Sequence, residues 1–241
     1  FRDLRRFAAV VRSEGLGAAT SRALSRVLPE TRSSRQIVLR LRLADQKQMR
    51  REDREEKRGN PEPGSPLAGG AAVRQINRED DPALDALAKP PGWTTIRDAR
   101  IQWLREGAIC FVAECDGQII AEVWLATGTS CYEPHLRRTL GLSPEESYSW
   151  GAHCAPDRRG RGAIGYLTLH AINELSASHG KREFLIIIRS DNHPSLRAAD
   201  KIGFKRVGRI GFTDVFGVRF HYLVGKQAFP ATRPRCYPQR L

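Results

Sequence analysis

A turn rich in glycine and arginine carries residue types suited to binding an anion. Residues 154–165 read C-A-P-D-R-R-G-R-G-A-I-G, between an aromatic stretch and a run of apolar residues at helical spacing. This pattern predicts a strand, a tight turn and a helix. The first N–H groups of a helix lack intrahelical partners, and the helix dipole adds positive charge there. We therefore expect a phosphate or pyrophosphate site, with a solvated basic turn as the plainer alternative.

A second motif follows the next apolar strand. Asn192-His193-Pro194-Ser195 comes after the strand at 184–188, and a helix then leads to Lys201-Ile202-Gly203-Phe204. The turn itself contains Pro156-Asp157-Arg158-Arg159-Gly160-Arg161-Gly162. In this order and spacing, the motifs resemble the GNAT superfamily of acyl-CoA-dependent N-acyltransferases, across roughly residues 71–225.

The resemblance implies acetyl-CoA as a cosubstrate and identifies the residues that would hold it. Cys154 and Pro156 would line the pantetheine arm, and Asn192 would contact the pantetheine or its amide. Ser195 belongs to the same motif and is placed in the cofactor site with it. The backbone of the turn would hold the pyrophosphate, through Arg159, Gly160, Arg161, Gly162, Ala163, Ile164 and Gly165.

Two positions depart from the pattern of the superfamily. Ile164 stands where Gly or Ala is often found, and glycine arrives one residue later at Gly165. Ala199 stands where a tyrosine often serves as general acid to the leaving thiolate. That acid role is therefore unfilled or is filled from elsewhere, and Tyr222 is a conceivable substitute.

The implied chemistry is direct attack of an acceptor amine on the thioester, which needs a base to take the amine proton. Glu122 lies in an apolar strand, where burial could raise the pKa of its carboxyl group. An edge position or a structural ion pair is the alternative. His153 has a suitable intrinsic pKa. Both residues are candidate catalytic groups.

Strand alternation sets an expectation for the side chains before the turn. It places His153 on the face opposite Cys154, which favours a structural histidine. Tyr148 and Trp150 are then expected to share the Cys154 face and to shape the acceptor pocket. Cys154 has no His or Asp partner at a spacing that would indicate a nucleophile.

The net charge of +13 lies mainly near the ends of the 241-residue chain. Residues 1–43 are expected to form a basic helical leader plus a strand, with two amphipathic helices in residues 1–28. Residues 44–70 read as a charged linker rich in Pro and Gly. A GNAT-like domain is expected at 71–225 and a basic tail at 226–241. The helices could lie on an anionic membrane surface or pack on the domain.

The predicted fold class is α/β, with a mixed, mostly antiparallel sheet flanked by helices. A short helix is expected near Leu136 within a long connection at 127–146. Five cysteines with no C-x-x-C pair argue against a disulfide framework or a zinc site, and a reducing cytoplasm is the expected location. Phe1 in place of an initiator methionine indicates a fragment or a processed chain.

Three classes of function remain open. The favoured one is an N-acetyltransferase that moves an acetyl group from acetyl-CoA to an amine of a small molecule. The second transfers longer acyl or aminoacyl groups at a membrane surface. The third is a degenerate CoA-binding module. No motif supports specific binding of nucleic acid, no metal is expected, and a homodimer is left open.

Overall fold

A computed structural model describes residues 32–46, 71–86, 97–133, 136, 138–215 and 218–225. The amphipathic helices expected in residues 1–28, most of the linker at 44–70 and the tail at 226–241 lie outside these residues. No helix within the described ranges combines the length and apolarity needed to span a bilayer.

An eight-stranded sheet forms the centre of the molecule, in the order β10-β9-β1-β8-β7-β4-β3-β2. The strands are β1 (Arg32–Arg42), β2 (Ala72–Ile76), β3 (Ala108–Cys115), β4 (Gln118–Ala126), β5 (Ser130–Glu133), β6 (Arg138–Gly141), β7 (Glu146–Cys154), β8 (Glu183–Arg189), β9 (Lys205–Val215) and β10 (Val218–Val224). β7 and β8 run parallel, and the other described pairs in this sheet are antiparallel. The predicted mixed, mostly antiparallel α/β fold is confirmed.

Helices cover both faces of the sheet. They are α1 (Ala83–Ala86), α2 (Arg97–Arg105), α3 (Ala163–His179) and α4 (His193–Ile202). On α3, Leu167, Ala171 and Leu175 recur at i, i+4 and are buried. They pack with α4 residues in one apolar cluster. On the opposite face, α1 and α2 cover a second cluster.

The connection at 127–146 is a hairpin, so the short helix expected near Leu136 is wrong. β5 and β6 pair antiparallel as a separate two-stranded sheet. Leu136 lies between them and is fully buried with Leu140 and Leu142. Burial of these apolar side chains against the main sheet outweighs local helix propensity.

The strand of the leader lies inside the main sheet. β1 pairs antiparallel with both β8 and β9, so it fills a central position between them. Val38, Leu39 and Leu41 are buried, and they contribute to the clusters on both faces. Strands buried on both faces carry apolar residues at consecutive positions, which explains the run from Ile37 to Leu39.

Candidate active site

β7 and β8 pair with each other over a short segment only. Beyond it each strand stays with its other neighbour, so an opening forms between them. Their parallel pairing runs from Glu146 opposite Glu183 to Ser149 opposite Ile186. Beyond it, β7 stays paired with β4 as far as Cys154, while β8 stays paired with β1 as far as Arg189. The opening widens toward the carboxyl ends of both strands, where ligands bind in open α/β sheets.

A β-bulge in β7 sits at the opening and changes which side chains share a face. Trp150 pairs with Trp124 and His153 with Glu122, so Gly151 and Ala152 together oppose Val123. Gly151 has φ +61°, and an added Cβ would lie 3.0 Å from Cδ1 of Trp124. A bulge of this kind leaves one residue outside the ladder.

The expected placement of the β7 side chains is therefore wrong in one respect. Trp150 and His153 both lie on the α2 face, because their partners Trp124 and Glu122 are two residues apart on β4. Cys154 lies on the other face, packed against the α3 cluster. His153 is opposite Cys154 as expected, but Tyr148 and Trp150 share the His153 face.

The turn after β7 is built to expose backbone N–H groups. A 3-10 turn at Pro156–Arg158 follows β7, and Gly160 and Gly162 have φ +77° and +81°. Gly162 caps α3 without a side-chain hydrogen bond, and the first turn of α3 carries no acidic residue. The first N–H groups of this helix point outward in a field that favours negative charge. An added Cβ on Gly165 would meet nothing within 4 Å.

The arginines of the turn take different positions. Nε of Arg159 donates to the carbonyl of Cys154 at 3.2 Å, which folds this side chain back over the end of β7. Nε of Arg158 pairs with Asp157 at 3.2 Å, and Arg161 is exposed. Asp157 thus offsets the charge of Arg158, while Arg159 and Arg161 add positive charge to the turn that precedes α3.

Asn192 and Ser195 lie at the same edge of the sheet as the turn, because β7 and β8 are parallel. Asn192 is the N-cap of α4, and its Oδ1 accepts the backbone N–H of Ser195 at 3.3 Å. This cap uses the carbonyl oxygen of the side chain, so its NH₂ group is the part that could donate to a ligand. The two sequence motifs therefore meet at one edge.

Glu122 does not face a solvent-accessible pocket. Its side chain is 1% exposed, and Nη2 of Arg100, which is 0% exposed, lies 3.1 Å from its Oε1. Nη1 of Arg100 donates to the carbonyl of Leu84 at 3.2 Å, so the pair joins α1, α2 and β4. Burial raises the pKa of Glu122 from 4.5 to about 7, against the opposing effects of Arg100 and of a hydrogen bond from Trp124.

We expect Glu122→Gln to change how the stability of the fold depends on pH. A carboxyl group with a raised pKa contributes stability that is fully present below 4.5 and is lost as pH rises through about 7. The slope from one such group is at most about 1.4 kcal/mol per pH unit. As pH rises from 5 to 8, the Tm of Glu122→Gln should therefore rise relative to the Tm of the wild type. A constant Tm difference over this range would contradict the shifted pKa.

His153 is half-buried on the α2 face, directly opposite Glu122. Its pKa is lowered from 6.5, first by burial and then by the charges of Arg159 and Arg100. A histidine in this environment is neutral at pH 7 and can accept a proton. It lies where β7 has separated from β8, so it borders the opening, whereas Glu122 lies behind it.

Aromatic side chains line the sheet beside His153. Trp103 of α2 makes edge-to-face contacts with Trp124 at 5.1 Å and with Trp150 at 5.6 Å between ring centroids. Tyr148 stacks on Trp150 at 5.9 Å and donates from its hydroxyl to Oε2 of Glu133 at 2.5 Å. Tyr148 is 1% exposed, so it packs behind the aromatic wall that Trp103 and Trp150 form and does not face solvent.

Neither candidate position for the general acid reaches the opening. Ala199 is buried in the α4 cluster and has no group to donate. Tyr222 lies on β10, separated from β7 by β9, β1 and β8. At about 4.8 Å per strand, that is too far to reach a thiolate at β7. Its hydroxyl instead donates to the carbonyl of Ser34 at 3.3 Å.

Sequence reasoning missed Arg100, although a signal was present. Arg100 lies three and four residues before Trp103 and Leu104, which pack against the apolar cluster under α2. Residues at this spacing share one helix face. An arginine on the apolar face of a helix indicates a buried carboxylate partner, and Glu122 in its apolar strand is the matching residue.

Comparison with known proteins gives one family and several structures of similar fold. Residues 71–204 match the Acetyltransferase (GNAT) family. A mycothiol acetyltransferase from Corynebacterium glutamicum (strain R) is 24% identical over 143 residues, which cover 58% of this chain and 44% of that protein. This chain thus spans less than half the length of that relative.

Two solved structures resemble the fold. A tandem GNAT protein from the clavulanic acid biosynthesis pathway, solved without AcCoA, has a TM-score of 0.51 and 15% identity, with 80% of this chain and 57% of that chain covered. A Drosophila protein has a TM-score of 0.50 and 14% identity, with 81% and 55% covered. At these identities the likeness shows the fold.

Proposed function

The chain belongs to the acetyltransferase (GNAT) family, and from this premise we propose that it moves an acetyl group from acetyl-CoA to an amine of a small molecule. One observation carries the proposal. The opening between β7 and β8 leads to a helix start that has no acidic residue in its first turn and no side-chain cap. The open space at Gly165 is what a bound pyrophosphate would need.

The donor would be held at three places. Backbone N–H groups from Arg159 to Gly165 would take the pyrophosphate, aided by the charges of Arg159 and Arg161. Cys154 and Pro156 would line the pantetheine arm. Asn192 would donate from its side-chain NH₂ group, with Ser195 holding the Asn192 side chain through the α4 cap. Acetyl-CoA supplies the activated acyl group as a thioester.

The residues of the chain would then supply proton transfer and charge stabilisation. His153 accepts the proton of the attacking amine, because its imidazole is neutral at pH 7 and borders the opening. The amine nitrogen forms the new bond to the carbonyl carbon. The carbon–sulfur bond breaks, and the thiolate leaves with the electron pair. The residue outside the ladder at the Gly151–Ala152 bulge offers a backbone N–H to the carbonyl oxygen.

Glu122 would lie beside His153, on the side away from the opening, and would not contact the acceptor. It is paired with Arg100 and is too deeply buried to meet an acceptor. The acceptor would approach over the wall formed by Trp103 and Trp150 on the α2 face. An amine acceptor suits this arrangement, because the half-buried rings of Trp103 and Trp150 favour a cation in the encounter.

Titration of the full chain with acetyl-CoA by calorimetry tests the proposal, with desulfo-CoA and a long-chain acyl-CoA alongside. We expect saturable binding of acetyl-CoA that Arg159→Ala/Arg161→Ala weakens about tenfold, since each arginine contributes a charge-assisted contact. Release of free thiol in the presence of amine acceptors then measures turnover.

Each other outcome points to a different function. Preference for the long-chain donor would indicate transfer of longer acyl groups. Binding without turnover on any amine would support the degenerate CoA-binding module, for which the lack of a general acid at Ala199 is the specific observation. Absence of binding to all three donors would contradict the proposal.

A further inference from the structure

Two carboxylates face each other at the closed end of the opening. Glu146 and Glu183 are the first residues of β7 and β8 and lie directly opposite in the parallel pairing. Like charges directly opposite in a sheet are destabilising. The repulsion acts at the point where the two strands are held together before they separate, so it works to spread them.

Arg40 of β1 bridges these carboxylates. Its Nη2 lies 3.1 Å from Oε1 of Glu146, and its Nη1 lies 3.3 Å from Oε2 of Glu183. The side chain of Arg40 is 16% exposed and that of Glu146 is 9% exposed, so solvent screens the bridge weakly. β1 lies before residue 71, where the match to the acetyltransferase family begins. The bridge is thus supplied by a strand outside the matched region.

The Glu146 end of the bridge is fixed to its surroundings. Its Oε2 accepts the backbone N–H of Ser143 at 2.8 Å, while its Oε1 meets Arg40. Nearby, Nζ of the buried Lys181 donates to the carbonyl of Pro144 at 2.9 Å, which links the segment before β8 to the segment before β7. Because both carboxylate oxygens of Glu146 have partners, its side chain is fixed relative to the backbone of β7. The attraction between Arg40 and Glu146 therefore acts on the position of the strand and not only on the side-chain rotamer.

We propose that Arg40 is a positioning residue for the donor site, which holds the starts of β7 and β8 together and thereby sets the width of their opening. The opening begins at Trp150, four residues beyond Glu146 and about 13 Å along the strand. A change in the angle between the strands at the closed end therefore changes the space for the pantetheine arm. This inference rests on the proposed function.

A matched pair of variants tests the role of Arg40. Arg40→Gln removes the bridge, whereas Arg42→Gln removes a neighbouring contact from Arg42 to Glu183 at 3.0 Å, whose arginine side chain is 57% exposed. Calorimetry with acetyl-CoA on the full chain should show a Kd that rises roughly three- to tenfold for Arg40→Gln, because the starts of β7 and β8 are no longer held at the spacing that the pantetheine arm needs. Arg42→Gln should stay within about twofold of the wild type, since exposed pairs contribute little.

Rescue distinguishes positioning from general loss of stability. Glu146→Gln added to Arg40→Gln removes the repulsion that Arg40 neutralised, and it should return the Kd to within about twofold of the wild type. Arg40→Lys, which keeps the charge but loses the bidentate geometry, should give an intermediate Kd and serves if Arg40→Gln fails to fold.

The outcomes separate this inference from the proposed function. Equal affinities of the wild type and Arg40→Gln, or a double variant as weak as Arg40→Gln, would overturn the role of Arg40 and leave the proposed function intact. If Arg40→Gln does not fold and Arg40→Lys is measured instead, wild-type affinity of Arg40→Lys would likewise overturn the role of Arg40. A wild-type chain that does not bind acetyl-CoA would remove both.

Discussion

Gly165→Asp should weaken acetyl-CoA binding by about two orders of magnitude while leaving the fold at least as stable as the wild type. Gly165 is the third residue of α3, and space around its Cα is open. A carboxylate there would lie about 5 Å from a bound phosphate, and at an effective dielectric constant of about 20 the repulsion is roughly 3 kcal/mol. That corresponds to at least about a hundredfold in Kd. Calorimetry with acetyl-CoA gives the affinity, and thermal unfolding gives the Tm.

Two controls separate charge from shape and from effects on the helix. Gly165→Ala adds only a methyl group, which should raise Tm through helix propensity of up to about 1 kcal/mol and weaken binding less than the aspartate does. Asn173→Asp places the same charge on an exposed position further along α3 and should leave the Kd unchanged. Undiminished binding by Gly165→Asp would show that the start of α3 is not the pyrophosphate site.

His153→Gln should lower kcat by about 10²- to 10⁴-fold, the range that general-base catalysis supplies, and leave the Kd for acetyl-CoA within about twofold. The base must be neutral to accept a proton. Because burial, Arg159 and Arg100 lower the pKa of His153 below 6.5, wild-type kcat/KM should stay level from pH 8 down past 6.5 and fall only at more acidic pH. Steady-state rates over this range measure the profile.

The acidic fall in rate should be missing from the profile of His153→Gln. His179→Gln, which removes an exposed histidine at the end of α3, is the control and should retain both the rate and the fall. If the fall persists in His153→Gln, or if kcat is unchanged, another group is the base.

The parts of the fold that sequence predicted are those decided by neighbouring residues. Asp116 and Gly117 join β3 and β4 and both have positive φ, at 53° and 72°. An Asp-Gly pair between two apolar runs is a hairpin signal that is present in the sequence itself. The helix predicted after the glycine-bearing turn is Ala163–His179, and Gly162 and Gly180 cap it in the left-handed conformation.

The parts that sequence did not predict depend on residues far apart in the chain. Whether Glu122 meets an acceptor or an ion partner is decided by Arg100, which a different element brings to it. The face on which Trp150 lies is decided by the bulge at Gly151, and alternation in β7 alone cannot reveal an inserted residue. The hairpin that holds Leu136 likewise depends on burial against β7 and β8.

The placement of β1 between β8 and β9 has a consequence for how the chain is made. Gln36 pairs with Arg189 and Ile210, so β1 leaves the ribosome long before either neighbour. At about 5–20 residues per second, the delay is on the order of ten seconds. Val38, Leu39 and Leu41 must avoid non-native contacts during that time, because a newly made apolar strand without a partner is prone to aggregation. Completion of the sheet thus waits until β8 and β9 have been made.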